Sequence, residues 1–191
     1  MPFELPDLPY ARTALEPHVS AAALEAHRGV HREHVEALNR LLPGSGLEAL
    51  ALPELLRRAQ GRLAEAAAEA WNHAFYWSCM SPRGGGEPRG ALADLLARRY
   101  GNLAGFRAEF ERMALAQPGP GWAWLVQRPD GSPGILVTRG ASTPATGSDT
   151  PLLACDLWEH AWWMDHQDDR AAYLAGFWKV VDWEAVARRL R

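Results

Sequence analysis

Leu152-Leu153-Ala154-Cys155-Asp156-Leu157-Trp158-Glu159-His160 runs from an apolar segment into a carboxylate and then a histidine. The apolar run reads as a short buried strand over 152–157. An acid at the end of such a strand is costly unless it is paired or binds a metal. His160, four residues on and past a bend, can return to the same point. By itself the Asp-x-x-x-His spacing is a weak signal, since it also suits an ordinary acid–histidine pair.

Working outward, residues 122–127 and 135–138 read as two further short strands, joined through the turn Pro129-Asp130-Gly131. Residues 167–190 look helical in pieces. Upstream, helices are expected near 91–99 and 103–116, the second capped by Asn102. Before them, Gly84-Gly85-Gly86-Glu87-Pro88-Arg89-Gly90 reads as a linker. On its other side the character is helical. Ser20 can cap a helix running to about Leu42, where Pro43-Gly44 stops it. A second long helix is expected from Pro53 to Met80, interrupted at Gly61 only. Two long helices with a short link make an antiparallel hairpin. The expectation is an α+β chain. Residues 1–88 form an N-terminal helical hairpin domain, and 89–191 form a C-terminal domain with a three-stranded antiparallel sheet and flanking helices. The candidate site lies between the two.

The helical half supplies partners for Asp156 and His160. His27, His31 and His34 are spaced i, i+4 and i+7, so they share one helix face. Glu69 and His73 are again i and i+4. A Glu–His pair at that spacing is often no more than a surface contact, and a histidine on an amphipathic helix is more often packing than ligating. Trp71, Phe75, Tyr76 and Trp77, however, surround His73 with apolar rings, which argues for burial, and a buried imidazole needs a partner. Together the motifs propose a site of three histidines and one carboxylate. No thiolate is needed, which disfavours a closed structural zinc site, and imidazole with carboxylate suits iron or manganese.

Composition narrows the function classes. Of 191 residues, 48% are hydrophobic, enough for a packed interior, and the net charge is −3 without a clustered basic stretch. No nucleic-acid partner is therefore expected. Nor is a membrane partner, because nothing approaches the roughly 20 apolar residues of a span. The start lacks a basic segment followed by an apolar run, so a cytoplasmic location is expected. Two cysteines, Cys79 and Cys155, read as reduced buried thiols. The nine tryptophans cluster beside the histidines and Asp156, where a wall of rings would exclude water from a metal and tune its potential.

FELPDLPY at the start, WNHAFYW at 71–77, GGEPRG at 85–90, GWAWL at 121–125, TPLL at 150–153 and DLWEHAW at 156–162 resemble the iron/manganese superoxide dismutases over nearly the whole chain. The resemblance implies a dismutase acting on superoxide at one redox metal per subunit, held by His27, His73, Asp156 and His160. Trp77, Trp122 and Trp158 match the aromatic shell, and Tyr76 matches an aromatic at the site's edge. Glu159 matches a residue that reaches across a dimer to the partner subunit's His160. His31 matches a histidine near the substrate funnel and the dimer seam, and Arg170 an arginine near the funnel mouth. A homodimer follows, with a tetramer also compatible. Iron is the implied metal and manganese the alternative: position 141 is alanine, where manganese-type relatives commonly place a glutamine.

Three positions depart from the family pattern. Glu69 stands where relatives carry glutamine. Trp163 stands where the residue pairing with the funnel histidine is commonly tyrosine. The gateway tyrosine of the first helix falls on Val35 counting forward from His27, and on His34 counting backward from Leu38-Asn39. One residue has thus been lost between His31 and His34, and a relative with a one-residue π-bulge there would explain how. An ionised Glu69 can only accept hydrogen bonds, whereas a protonated one can donate as glutamine does. With His34 as gateway, activity would fall between pH 6 and 9, where histidine titrates closer than tyrosine. A weakly active, metal-binding relative acting as sensor or interaction partner is the competing reading.

Overall fold

The computed structural model describes residues 2–191. Helix α1 (Ala21–Leu41) starts at Ser20, whose hydroxyl accepts from the Ala23 N–H at 3.0 Å. The N–H and hydroxyl of Ser20 themselves donate to Asp165 at 2.8 and 2.6 Å, fixing the start of α1 to helix α6 (Glu159–His166). α1 is regular α-helix along its length. It turns Leu24, His27, His31, Val35 and Leu38 inward at helical spacing. Ahead of it, the N-terminal segment is pinned by Asn39, whose side chain pairs with both backbone groups of Phe3 at 2.8 Å.

The single helix expected over 53–80 is two, α2 (Leu52–Arg58) and α3 (Gly61–Trp77). Ala59 and Gln60 are extended, and Gly61 then takes a φ of 56°, a left-handed value open chiefly to glycine. The glycine therefore breaks the rod instead of merely weakening it. α3 also stops short of Met80, which bridges Val181 as an isolated β pair. The linker then passes so close to the C-terminal segment that a Cβ at Gly84 would sit 2.2 Å from the Val180 carbonyl oxygen.

Helices α4 (Gly90–Tyr100) and α5 (Leu103–Leu115) follow as expected, with the Asn102 side chain accepting from Gly105 N–H at 2.8 Å. Strands β1 (Gly121–Gln127), β2 (Pro133–Arg139) and β3 (Thr150–Asp156) form one antiparallel sheet in the order β2-β1-β3. All seven residues of central β1 are buried, so the sheet is covered on both faces. Trp122 lies opposite Asp156 in the register, which brings an indole beside the acid. A bulge lets β3 skip Leu152 against β1, and the freed Leu152 carbonyl accepts from Arg189 at 2.8 Å.

After β3 comes α6, which the sequence pattern did not announce. Only Trp162 of its eight residues is buried, and Trp158 at its N-cap makes no side-chain capping bond, so neither apolar periodicity nor a cap marks it. Helices α7 (Arg170–Phe177) and α8 (Trp183–Arg188) are capped by Asp169 and Asp182. The larger core gathers the sheet with α4, α5, α7 and α8, and a smaller one holds Val35, Leu38, Leu55 and the alanines of α3.

Candidate metal centre

His27 from α1, His73 from α3, Asp156 at the end of β3 and His160 from α6 each offer one ligand atom, all within 4.8 Å of one another. Asp156 Oδ2 is 2.9 Å from His27 Nε2, 3.1 Å from His160 Nε2 and 3.7 Å from His73 Nε2. Despite the short first distance, Nε2 of His27 and of His73 make no hydrogen bond. Two buried imidazole nitrogens thus crowd a carboxylate oxygen without being satisfied by it, a costly arrangement that a cation would relieve. Three imidazoles and a carboxylate fit a divalent or trivalent transition metal.

Charge states agree with that use. Burial opposes ionisation of Asp156, but His160 and His27 beside it hold its carboxyl well below the usual carboxylate range. Burial pushes His27 down and His73 far down. Neutral imidazoles around a carboxylate are the ligating forms.

Two of the ligands, His73 and Asp156, are held from behind. Nδ1–H of His73 donates to the Glu69 carbonyl at 2.8 Å, leaving Nε2 with its lone pair free. Asp156 Oδ1 accepts from the Trp158 N–H at 2.9 Å. The Tyr173 hydroxyl donates to the Asp156 carbonyl at 2.8 Å and lies 3.1 Å from the hydroxyl of Tyr76. Tyr173 escaped the sequence reading, because one tyrosine in a short helix carries no spacing that points 17 residues back. Rings wall the site: Trp77 4.6 Å from His27, Trp122 5.1 Å from His73 and Trp158 5.8 Å from His160, between centroids. Tyr76 is buried, with its ring centroid 5.4 Å from that of His27.

His31 is buried with both ring nitrogens engaged. Nε2–H faces the Ala70 carbonyl at 3.1 Å, and Nδ1 accepts from the Trp77 indole at 3.1 Å. Burial pushes it down to about 4, so it is neutral and fixes the ring that packs on His27.

His34 and Val35 point to different places. Val35 is buried in the smaller, helical core. The His34 ring lies 5.3 Å from that of His73 and, with Glu69, lines a cavity of about 720 Å³. Burial pushes His34 below histidine's ordinary value. That moves its titration toward acid, away from the upper part of the expected pH 6–9 window. Burial first, and then the charge of Asp156, push the Glu69 carboxyl up to about 9. Trp122 opposes that shift, yet its indole N–H and both Glu69 oxygens fall outside hydrogen-bond geometry. In the metal-free protein this keeps the proton on Glu69 at neutral pH.

Comparison with known proteins gives the same reading. Residues 2–81 match the alpha-hairpin domain of iron/manganese superoxide dismutases, and 88–189 match their C-terminal domain. The chain belongs to the iron/manganese superoxide dismutase family. It is 47% identical over 191 residues to the iron superoxide dismutase of Salmonella typhimurium and 46% identical to that of Escherichia coli K12, covering 100% of this chain and 99% of each relative. The Coxiella burnetii iron enzyme is 45% identical over 192 residues, with both chains fully covered.

In this dismutase-family chain, the remaining positions lie on the outer side of His160. Glu159 is exposed, and Trp163 and Met164 are 51% and 52% exposed on α6. Arg170 donates to the carbonyls of Gln117 and Ala114 at 2.8 and 3.0 Å, capping the end of α5. With Glu159, His160 and Trp158 it lines a second cavity of about 740 Å³. Cys79 and Cys155 are free and buried. Among the described residues, no helix is long and apolar enough to cross a membrane.

Proposed function

We propose that the chain is a superoxide dismutase that holds one iron on His27, His73, Asp156 and His160. The observation that carries this is the pair of buried, unsatisfied Nε2 atoms of His27 and His73 gathered around the ionised Asp156. Relatives of nearly half identity over the full length are named iron superoxide dismutases. Iron supplies a one-electron couple that oxidises one superoxide to dioxygen and reduces the next, with two protons, to hydrogen peroxide.

The protein's part is placement and protons. Tyr173 and the Trp158 N–H orient Asp156, and the Glu69 carbonyl orients His73. Trp77, Trp122 and Trp158 keep bulk water from the ligand rings, with His31 acting as a positioning residue for Trp77. Glu69, protonated and facing the same cavity as His34, has the donor that an amide would supply there. His34 is the gateway residue, since Val35 is committed to the core.

The working form is a homodimer in the cytoplasm. The exposed Trp163 and Met164, beside Glu159 and the open side of His160, suit burial against a second copy. Two free thiols suit a reducing compartment. The test is dismutation per bound metal on protein purified natively and reconstituted separately with iron and manganese. Full iron occupancy with high turnover is expected. Full occupancy with negligible turnover in both forms would overturn the reading.

A further inference from the structure

His34, Glu69 and His73 make a second group of ligand atoms within 4.8 Å of one another. His73 is already committed, through Nδ1 to the Glu69 carbonyl and through Nε2 to the centre described above. That leaves an imidazole and a carboxylate. Glu69 is 3% exposed, and neither of its carboxylate oxygens has a hydrogen-bond partner. Both side chains line the cavity of about 720 Å³, whose walls include Ala64, Ala68 and Ala141. Such small side chains leave room for a hydrated ion to reach them.

We propose that His34 and Glu69 hold a second divalent cation of the zinc type, distinct from the ion on His27, His73, Asp156 and His160. One imidazole and one carboxylate are zinc donors, and water from the cavity completes four-coordination. Zinc displaces the proton that Glu69 otherwise carries, releasing it to solvent, and the carboxylate oxygens gain the partner they lack within the protein. An ion there fills the inner end of the cavity beside His73, so zinc inhibits by occupying the approach. The seat stands on these two residues whether or not the chain turns over superoxide.

The experiment is equilibrium dialysis of the iron-loaded protein against zinc chloride, counting both metals per chain. Wild type is expected to gain one zinc while keeping its iron. Glu69→Gln and His34→Gln are each expected to lose that zinc and keep the iron. No zinc beyond the iron in wild type, zinc gained only as iron is lost, or a zinc equivalent surviving in both variants would each overturn the proposal. Should the protein hold no iron, wild type is expected to bind two zinc ions and each variant one, so the two readings fail separately.

Discussion

Glu69 shows how far one side chain departs from what its neighbours suggest. It sits a helical turn before His73, and nothing in the i, i+4 spacing tells a solvated pair from a buried one. Burial decides it: the carboxyl is pushed from 4.5 to about 9. In the metal-free protein, between those values, the folded chain holds a proton that the unfolded chain has lost. Stability must then fall as pH rises through that window, by about 1.4 kcal/mol per unit. Urea denaturation of the metal-free protein at pH 7 and 8.5 should show the decline, and Glu69→Gln should flatten it. A decline of equal size in the variant would place the proton elsewhere. The four ligands were legible because His73 sits in WNHAFYW, Asp156 and His160 share DLWEHAW, and His27 lies on one helix face with His31 and His34, whereas Tyr173 was not, since its role depends on a contact made only after α7 docks on β3.

At the scale of elements, helices and strands with caps or alternation were legible: α1 from Ser20, α5 from Asn102, β1 and β2 around an Asp-Gly turn. What was missed lacked those marks. α6 has one buried residue and no cap bond, and the break before α3 depends on a glycine conformation that composition does not reveal. Uninterrupted α-helix in α1 also separates His34 from Val35: past His31 each position keeps a fixed angle, which sends one to the cavity and the other to the core. Arg189 is the corresponding device at the chain's end. It donates to the Leu152 carbonyl at 2.8 Å and to Ser78 O and Oγ at 2.9 and 2.8 Å, and lies 4.5 Å over the Phe75 ring. Arg189→Ala is expected to cost about 2–4 kcal/mol, since it strips charged donors from carbonyls and removes a cation–π contact. The exposed neighbour change Arg188→Ala should cost little. Urea midpoints compare the two; equal losses would mean that the Arg189 bonds add nothing.

For the whole molecule, acid is the weak direction. His27, His31 and His73 are all pushed below histidine's ordinary value. Unfolding therefore takes up protons below about pH 6.5. Stability of the metal-free protein is present above that pH and lost below it, with a slope reaching about 4 kcal/mol per unit once three histidines titrate. Calorimetry from pH 7 to 5 should show a steep fall in melting temperature; a flat profile would contradict the buried neutral rings. Assembly is tested separately. Trp163→Glu puts a charge into the most apolar exposed part of α6 and is expected to shift the protein from dimer to monomer in sedimentation; an unchanged mass would place the interface elsewhere.

The ligands' positions along the chain also order events during synthesis. His27 and His73 leave the ribosome in the helical hairpin, whereas Asp156 follows His73 by about 80 residues, roughly 4 to 16 s at bacterial elongation speeds. For that interval the nascent hairpin presents two of the four ligands without Asp156 or His160. Arg189, which ties β3 to the end of α3, comes later still than Asp156. The four-ligand set is thus complete only once His160 has followed the hairpin out.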